Sequence, residues 1–157
     1  MKSIFKIVVS FLPEQVAYAH CDIPCGIYDP NQAQLGAHTV LRMTQLLGEH
    51  DDSMHDVARI THIKEEHGEL VEDALGTLEN DYFKPEHFEK YPDLKGLIAD
   101  AVQLSIKTRQ KMDIDQANQL LEKVLQISEI FYKTKNVTPV RVPSVYPTKG
   151  EIVTYKA

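Results

Sequence analysis

The stretch Asp113–Lys135, DIDQANQLLEKVLQISEIFYKTK, decides the fold. Its apolar residues Ala117, Leu120, Leu121, Val124, Ile127 and Phe131 recur every three or four positions, the period of a helix with one buried face. Asp113 or Asp115 can cap its start, and the pattern ends near Lys135. Reading outward, the same period returns three more times. A helix starting near Asp93 carries Leu94, Leu97, Ile98, Ala101, Leu104 and Thr108 on one face. Before it, Val57, Ile60, Lys64, His67, Val71, Ala74 and Leu78 form a stripe broadened by Ile63, Leu70 and Leu75, which predicts a helix over about 54–79 with Ser53 or Asp52 as cap. The first helix opens at Asp29-Pro30, with Asp as N-cap and Pro at the first helical position. Ala33, Ala37, Val40, Leu41, Thr44 and Leu47 follow at helical spacing. Four amphipathic helices with short connections predict an all-α chain, an up-down four-helix bundle over 30–135.

Three stretches break the period. Residues 80–92, NDYFKPEHFEKYP, are aromatic and proline-punctuated and read as an ordered loop packed on the bundle. Residues 136–157 hold Pro139, Pro143 and Pro147 between valines and read as an extended C-terminal tail. Residues 1–19 carry Lys2 and Lys6, a short apolar run from Ile7 to Leu12, and an Ala17-Tyr18-Ala19 ending that looks like a cleavage site. They read as a removable leader, with an ordinary N-terminal strand or arm as the alternative.

Composition bounds the function. The chain has 157 residues, 43% hydrophobic and 25% charged, which is one domain with a core of its own. A net charge of −6 argues against a broad nucleic-acid or anionic-membrane surface, and no apolar run is long enough for a membrane span. Two cysteines exclude a disulfide-dense scaffold.

Both cysteines fall in His20-Cys21-Asp22-Ile23-Pro24-Cys25-Gly26-Ile27-Tyr28, directly after the apparent cleavage site. An imidazole and two thiols this close make a metal-ligand density, and Pro24 and Gly26 can turn the backbone around one ion. A Cys21–Cys25 disulfide and two structural cysteines are the alternatives. If the chain is cut before His20, its free amine, the Cys21 amide nitrogen and the two thiolates offer a square of two nitrogens and two sulfurs, with the His20 imidazole as a fifth donor. Such donors suit nickel or copper rather than zinc, and the leader would keep the amine blocked until the chain is ready. Other chemistries lack support. No Glu stands three residues before any histidine, as a di-iron bundle requires, and Asp113-x-Asp115 lacks the rest of a calcium loop.

His20–Pro30, HCDIPCGIYDP, resembles the nickel-hook motif of the nickel-containing superoxide dismutases, H-C-x-x-P-C-G-x-Y. Asp81–Leu94, DYFKPEHFEKYPDL, resembles a second signature of that family, and the likeness covers roughly 20–135. The resemblance implies a hook over 20–29, with one nickel ion per subunit held by His20, Cys21 and Cys25. It implies disproportionation of superoxide to dioxygen and hydrogen peroxide by Ni(III)/Ni(II) cycling. It also implies leader removal by a maturation peptidase and assembly of the subunits into a homohexamer. By motif, Asp22 and Cys25 offer backbone N–H groups near the open face, and Pro24 is the turn proline, in cis form. Tyr28 guards substrate approach, supported through hydrogen bonds by Tyr82 and Lys84, and Lys84 is also the candidate for a local field that attracts the anion.

The chain departs from the family at two positions. Where the family carries a Glu and an Arg that orient the axial imidazole, it has Gly36 and His67. His67 is a candidate partner for His20, or else a core or interface histidine. The departures keep alive a rival reading, a non-catalytic nickel- or copper-binding bundle; an exported bundle with one redox disulfide is a second. The charge-broken leader favours cytoplasmic maturation, while its Ala-x-Ala ending leaves export open.

Overall fold

The computed structural model describes residues 26–49 and 53–156. The described chain contains five α-helices: α1 (Asn31–Glu49), α2 (Met54–Thr77), α3 (Pro85–Lys90), α4 (Leu94–Gln110) and α5 (Ile114–Thr134). A π-helical turn, Leu78–Tyr82, continues α2, and two strands follow α5, β1 (Thr138–Pro143) and β2 (Glu151–Lys156). The four long helices form the bundle, with α2 and α5 each packed on α1 and α4.

The expected caps form. The Asp29 carboxylate accepts from the Asn31 N–H at 2.7 Å, Ser53 accepts from Asp56, and Asp113 accepts from Gln116. Each satisfies a backbone donor that a helix start leaves orphaned. Ala33, Ala37, Val40 and Leu41 from α1, Val71 and Leu75 from α2, Leu94 and Ile98 from α4, and Leu120, Val124, Ile127 and Phe131 from α5 make the core. On α2 the stripe is buried only in part. Val57 and Ile60 stay half-exposed, and Ile60 and Ile63 line an open groove of about 430 Å³ with Met43 and Leu46. Lys64 is 3% exposed because its ammonium donates to the Lys111 carbonyl at 3.1 Å, capping the C-terminal end of α4. Burial lowers its pKa, an effect that nearby Glu65 opposes.

Two expectations change. The segment over 80–92 is not a plain loop: the Phe83 N–H reaches back to the Leu78 carbonyl to close the π turn, and Pro85 then starts α3. The tail after 136 is extended, but its two halves pair as an antiparallel hairpin, with Arg141 opposite Val153, so a small sheet joins the helical bundle. Alternating prolines and valines read as an isolated extended strand, and the partner becomes visible only after Gly150.

Both edges of this hairpin are closed. The Gln34 side chain donates to the Val153 carbonyl at 3.1 Å and accepts from the Val153 N–H at 2.7 Å, as a neighbouring strand would. Val153 therefore faces away from β1, and so does its partner Arg141. Pro139 and Pro143, two residues either side of Arg141, then lie on the outer edge of β1, where a missing N–H costs nothing.

Candidate functional site

His20, Cys21, Asp22, Pro24 and Cys25 lie outside the described residues. What the structure gives is the root of the segment that carries them and the surface beside it. Gly26 has φ +96°, a left-handed conformation that glycine adopts without strain, in keeping with the expected turn. The chain then runs through Ile27 and Tyr28 to Asp29, whose carboxylate is occupied in capping α1. Tyr28, Asp29 and Gln32 face Asp73, Thr77 and Leu78 of α2 and the π turn across a cleft of about 420 Å³.

Tyr28 and Tyr82 meet here, with ring centroids 5.5 Å apart at 47°. The π turn places Tyr82 at the centre of an aromatic cluster. Its ring stacks with His87 at 5.8 Å and 20°, and touches Phe131 at 4.6 Å. The Tyr82 hydroxyl lies 2.7 Å from Thr134 Oγ1, and Thr134 in turn donates to the Phe131 carbonyl. Because the single Thr134 proton is used on Phe131, Tyr82 is the donor in its bond to Thr134, and its oxygen keeps only acceptor capacity. Burial raises the Tyr82 pKa above its usual value, with the Thr134 bond pulling the other way.

The Lys84 ammonium donates to the Asp81 carbonyl at 2.9 Å, which fixes the side chain without neutralising it. The Lys84 N–H donates to His87 Nδ1 at 3.0 Å, tying the start of α3 to the cluster. Sequence reasoning missed Thr134, His87 and Lys135, whose ammonium lies 4.6 Å from the centroid of the Tyr82 ring. The one available signal was the position of Thr134 and Lys135 at the end of the strongest helix.

Gly36 and His67 meet across the α1–α2 contact. A Cβ on Gly36 would lie 2.9 Å from the His67 carbonyl oxygen and 2.7 Å from Val71 Cγ2, so this close crossing leaves no room for a longer side chain. His67 is half-buried, and its Nδ1–H donates to the Ile63 carbonyl at 2.9 Å, which leaves Nε2 as its remaining polar atom. On the opposite face of α1, Tyr132 and Tyr155 meet at 5.3 Å. Burial, then the charge of Asp29, then Tyr155 push the Tyr132 phenol up to about 12, which places the end of α5 in electrostatic reach of the α1 cap.

Among the described residues no group of three His, Cys, Asp or Glu side chains could hold a metal ion. Both cysteines of the sequence stand with His20 outside the described residues, and the soft thiolates of Cys21 and Cys25 with the nitrogens of His20 are a donor set that fits nickel. No described helix is long and apolar enough to cross a membrane.

Residues 15–135 match the family described as nickel-containing superoxide dismutases. The nickel superoxide dismutase of Streptomyces seoulensis is 40% identical over 125 residues, covering 80% of this chain and 95% of the relative. That of Streptomyces coelicolor is 39% identical over the same length. A solved structure of native nickel superoxide dismutase superposes with a TM-score of 0.69 at 40% identity, covering 74% of this chain and 99% of the other. The hairpin lies beyond residue 135, where the family match ends.

Proposed function

The chain belongs to the nickel-containing superoxide dismutase family, and on that premise we propose how its own residues carry the reaction. It is an enzyme that disproportionates superoxide to dioxygen and hydrogen peroxide with a nickel cofactor. His20, Cys21 and Cys25 would hold the ion once residues 1–19 have been removed by a maturation peptidase, since that cut frees the His20 amine as a further donor. When bound, nickel supplies the one-electron couple that oxidises one superoxide and reduces the next.

The remaining tasks fall to side chains. Superoxide is an anion approaching a protein of net charge −6, so a local positive field must offset the global one. The Lys84 ammonium, whose partner among the described residues is a neutral carbonyl, supplies that field. Tyr28, in ring contact with Tyr82, narrows the approach to the hook and shields the thiolates from peroxide. Tyr82 stays protonated at neutral pH and commits its proton to Thr134, so it orients Tyr28 by ring packing and as an acceptor. Asp22 and Cys25 contribute backbone N–H groups at the open face. The observation that carries this reading is the ring contact between Tyr28 and Tyr82, from two distant parts of the chain, beside the root of the hook.

Assembly into a homohexamer and maturation in the cytoplasm complete the reading; the first follows the family, the second the charge-broken leader. The rival, a nickel or copper clasp without turnover, is separated by His20→Ala in the processed chain. The enzyme reading expects nickel to remain largely bound through the thiolates and backbone nitrogens while dismutation falls by orders of magnitude. Unchanged dismutation in that variant would overturn the role given to His20.

A further inference from the structure

We propose that the C-terminal hairpin is the positioning element of the metal hook: β2, docked on Gln34 and His38, fixes the first two turns of α1, from which the hook departs. The inference rests on the hook reading above. Its physical basis is independent of the metal. Gln34 and His38 are one helical turn apart on the same face of α1 and are both 2% exposed. Gln34 exchanges two hydrogen bonds with the Val153 backbone. His38 Nε2–H donates to the Glu151 carbonyl at 2.9 Å, because a carbonyl can only accept, and its Nδ1 then accepts from the Thr148 hydroxyl at 2.8 Å. Removing one partner while the contact stays closed would leave a buried polar group unpaired, so these matched hydrogen bonds specify how β2 docks.

The hairpin is tied to α5 as well as to α1. Arg141 makes a two-pronged contact with Glu122 at 2.8 and 2.9 Å and reaches Glu129 at 2.6 Å. At its far end Tyr155 packs on Tyr132. Helix α1 is thus wedged. Gly36 lets it press on α2 on one side, and the hairpin clamps it to α5 on the other. A Gly36 helix has no side chain there to reach the hook, so the hook's placement depends on how rigidly α1 itself is held. A strand-pairing role for the hairpin is excluded by its geometry, since Gln34 occupies one edge and Pro139 and Pro143 blunt the other.

The test compares the parent with Gln34→Leu and with a chain ending at Asn136, each beginning at His20. Amide exchange is read in the metal-free proteins, and release of nickel to a chelator and the Ni(III) paramagnetic spectrum in the loaded ones. The expected result is exchange over 27–40 faster by about tenfold, with α4 unchanged, together with nickel release faster by about tenfold and an altered spectrum. Uniform loss of protection, including α4, would reduce the hairpin to a general stabiliser and overturn the proposal. Unchanged exchange at 27–40 and unchanged nickel release in Gln34→Leu would also overturn it. Should the parent itself take up no nickel, the hook reading fails, and the exchange data alone then decide whether the hairpin braces α1.

Discussion

The hydroxyl of Tyr82 lies 2.7 Å from Thr134 Oγ1, a bond that joins the end of the π turn to the last turn of α5. Thr134 donates its own hydrogen bond to the Phe131 carbonyl, so the direction of the chain of bonds is fixed. Substituting Thr134→Val leaves the half-buried Tyr82 hydroxyl without its acceptor. Stability should fall by about 1 kcal/mol in urea denaturation, with nickel stoichiometry unchanged.

Lys84 acts through its charge. The Lys84→Gln variant should lose severalfold in kcat/KM for superoxide at low ionic strength. The gap should close as salt rises, because the Debye length falls to about 8 Å at physiological ionic strength. Pulse radiolysis across a salt series checks this, and a gap independent of salt would refute the electrostatic role.

Gly36→Ala sets helix propensity against packing. Propensity favours alanine by about 1 kcal/mol, but the new methyl meets the His67 carbonyl at 2.9 Å, and backbone cannot step aside cheaply. Overpacking of this kind costs about 1–3 kcal/mol, so the variant should be less stable than the parent by about 1 kcal/mol. Gly76, with nothing within 4 Å of an added Cβ, is the control in which alanine should stabilise.

His38 makes the hairpin dock pH-dependent. Burial holds its imidazole below the ordinary value of 6.5, while the bond to the Glu151 carbonyl pulls the other way. The unfolded chain therefore takes up the proton first as pH falls. The stability contributed by neutral His38 is whole above about 6.5 and is lost as pH drops through the lower folded value. Between pH 7.5 and 5.5 the parent should lose more Tm than His38→Gln, which carries no titrating group there.

The bundle was legible because helical period, caps and core agree on every long helix: the buried face of α5 is the face its spacing marks. The candidate metal ligands stood out because two thiols and an imidazole are crowded into so few residues. Other features depend on contacts distant in sequence. Gln34 reads as an ordinary solvent-facing residue until Val153 arrives to pair with it. Lys64 falls on the apolar stripe by its spacing, but why a lysine can be buried there appears only once its head finds the end of α4. The roles of Thr134 and Lys135 appear only once the π turn has swung Tyr82 onto α5.

The most direct test of the account is nickel content and superoxide dismutation in two purified forms, the full chain and a chain beginning at His20. The account predicts that only the processed form holds about one nickel per subunit and turns over superoxide. Equal nickel and equal activity in the form that keeps residues 1–19, or no nickel in either, would contradict it.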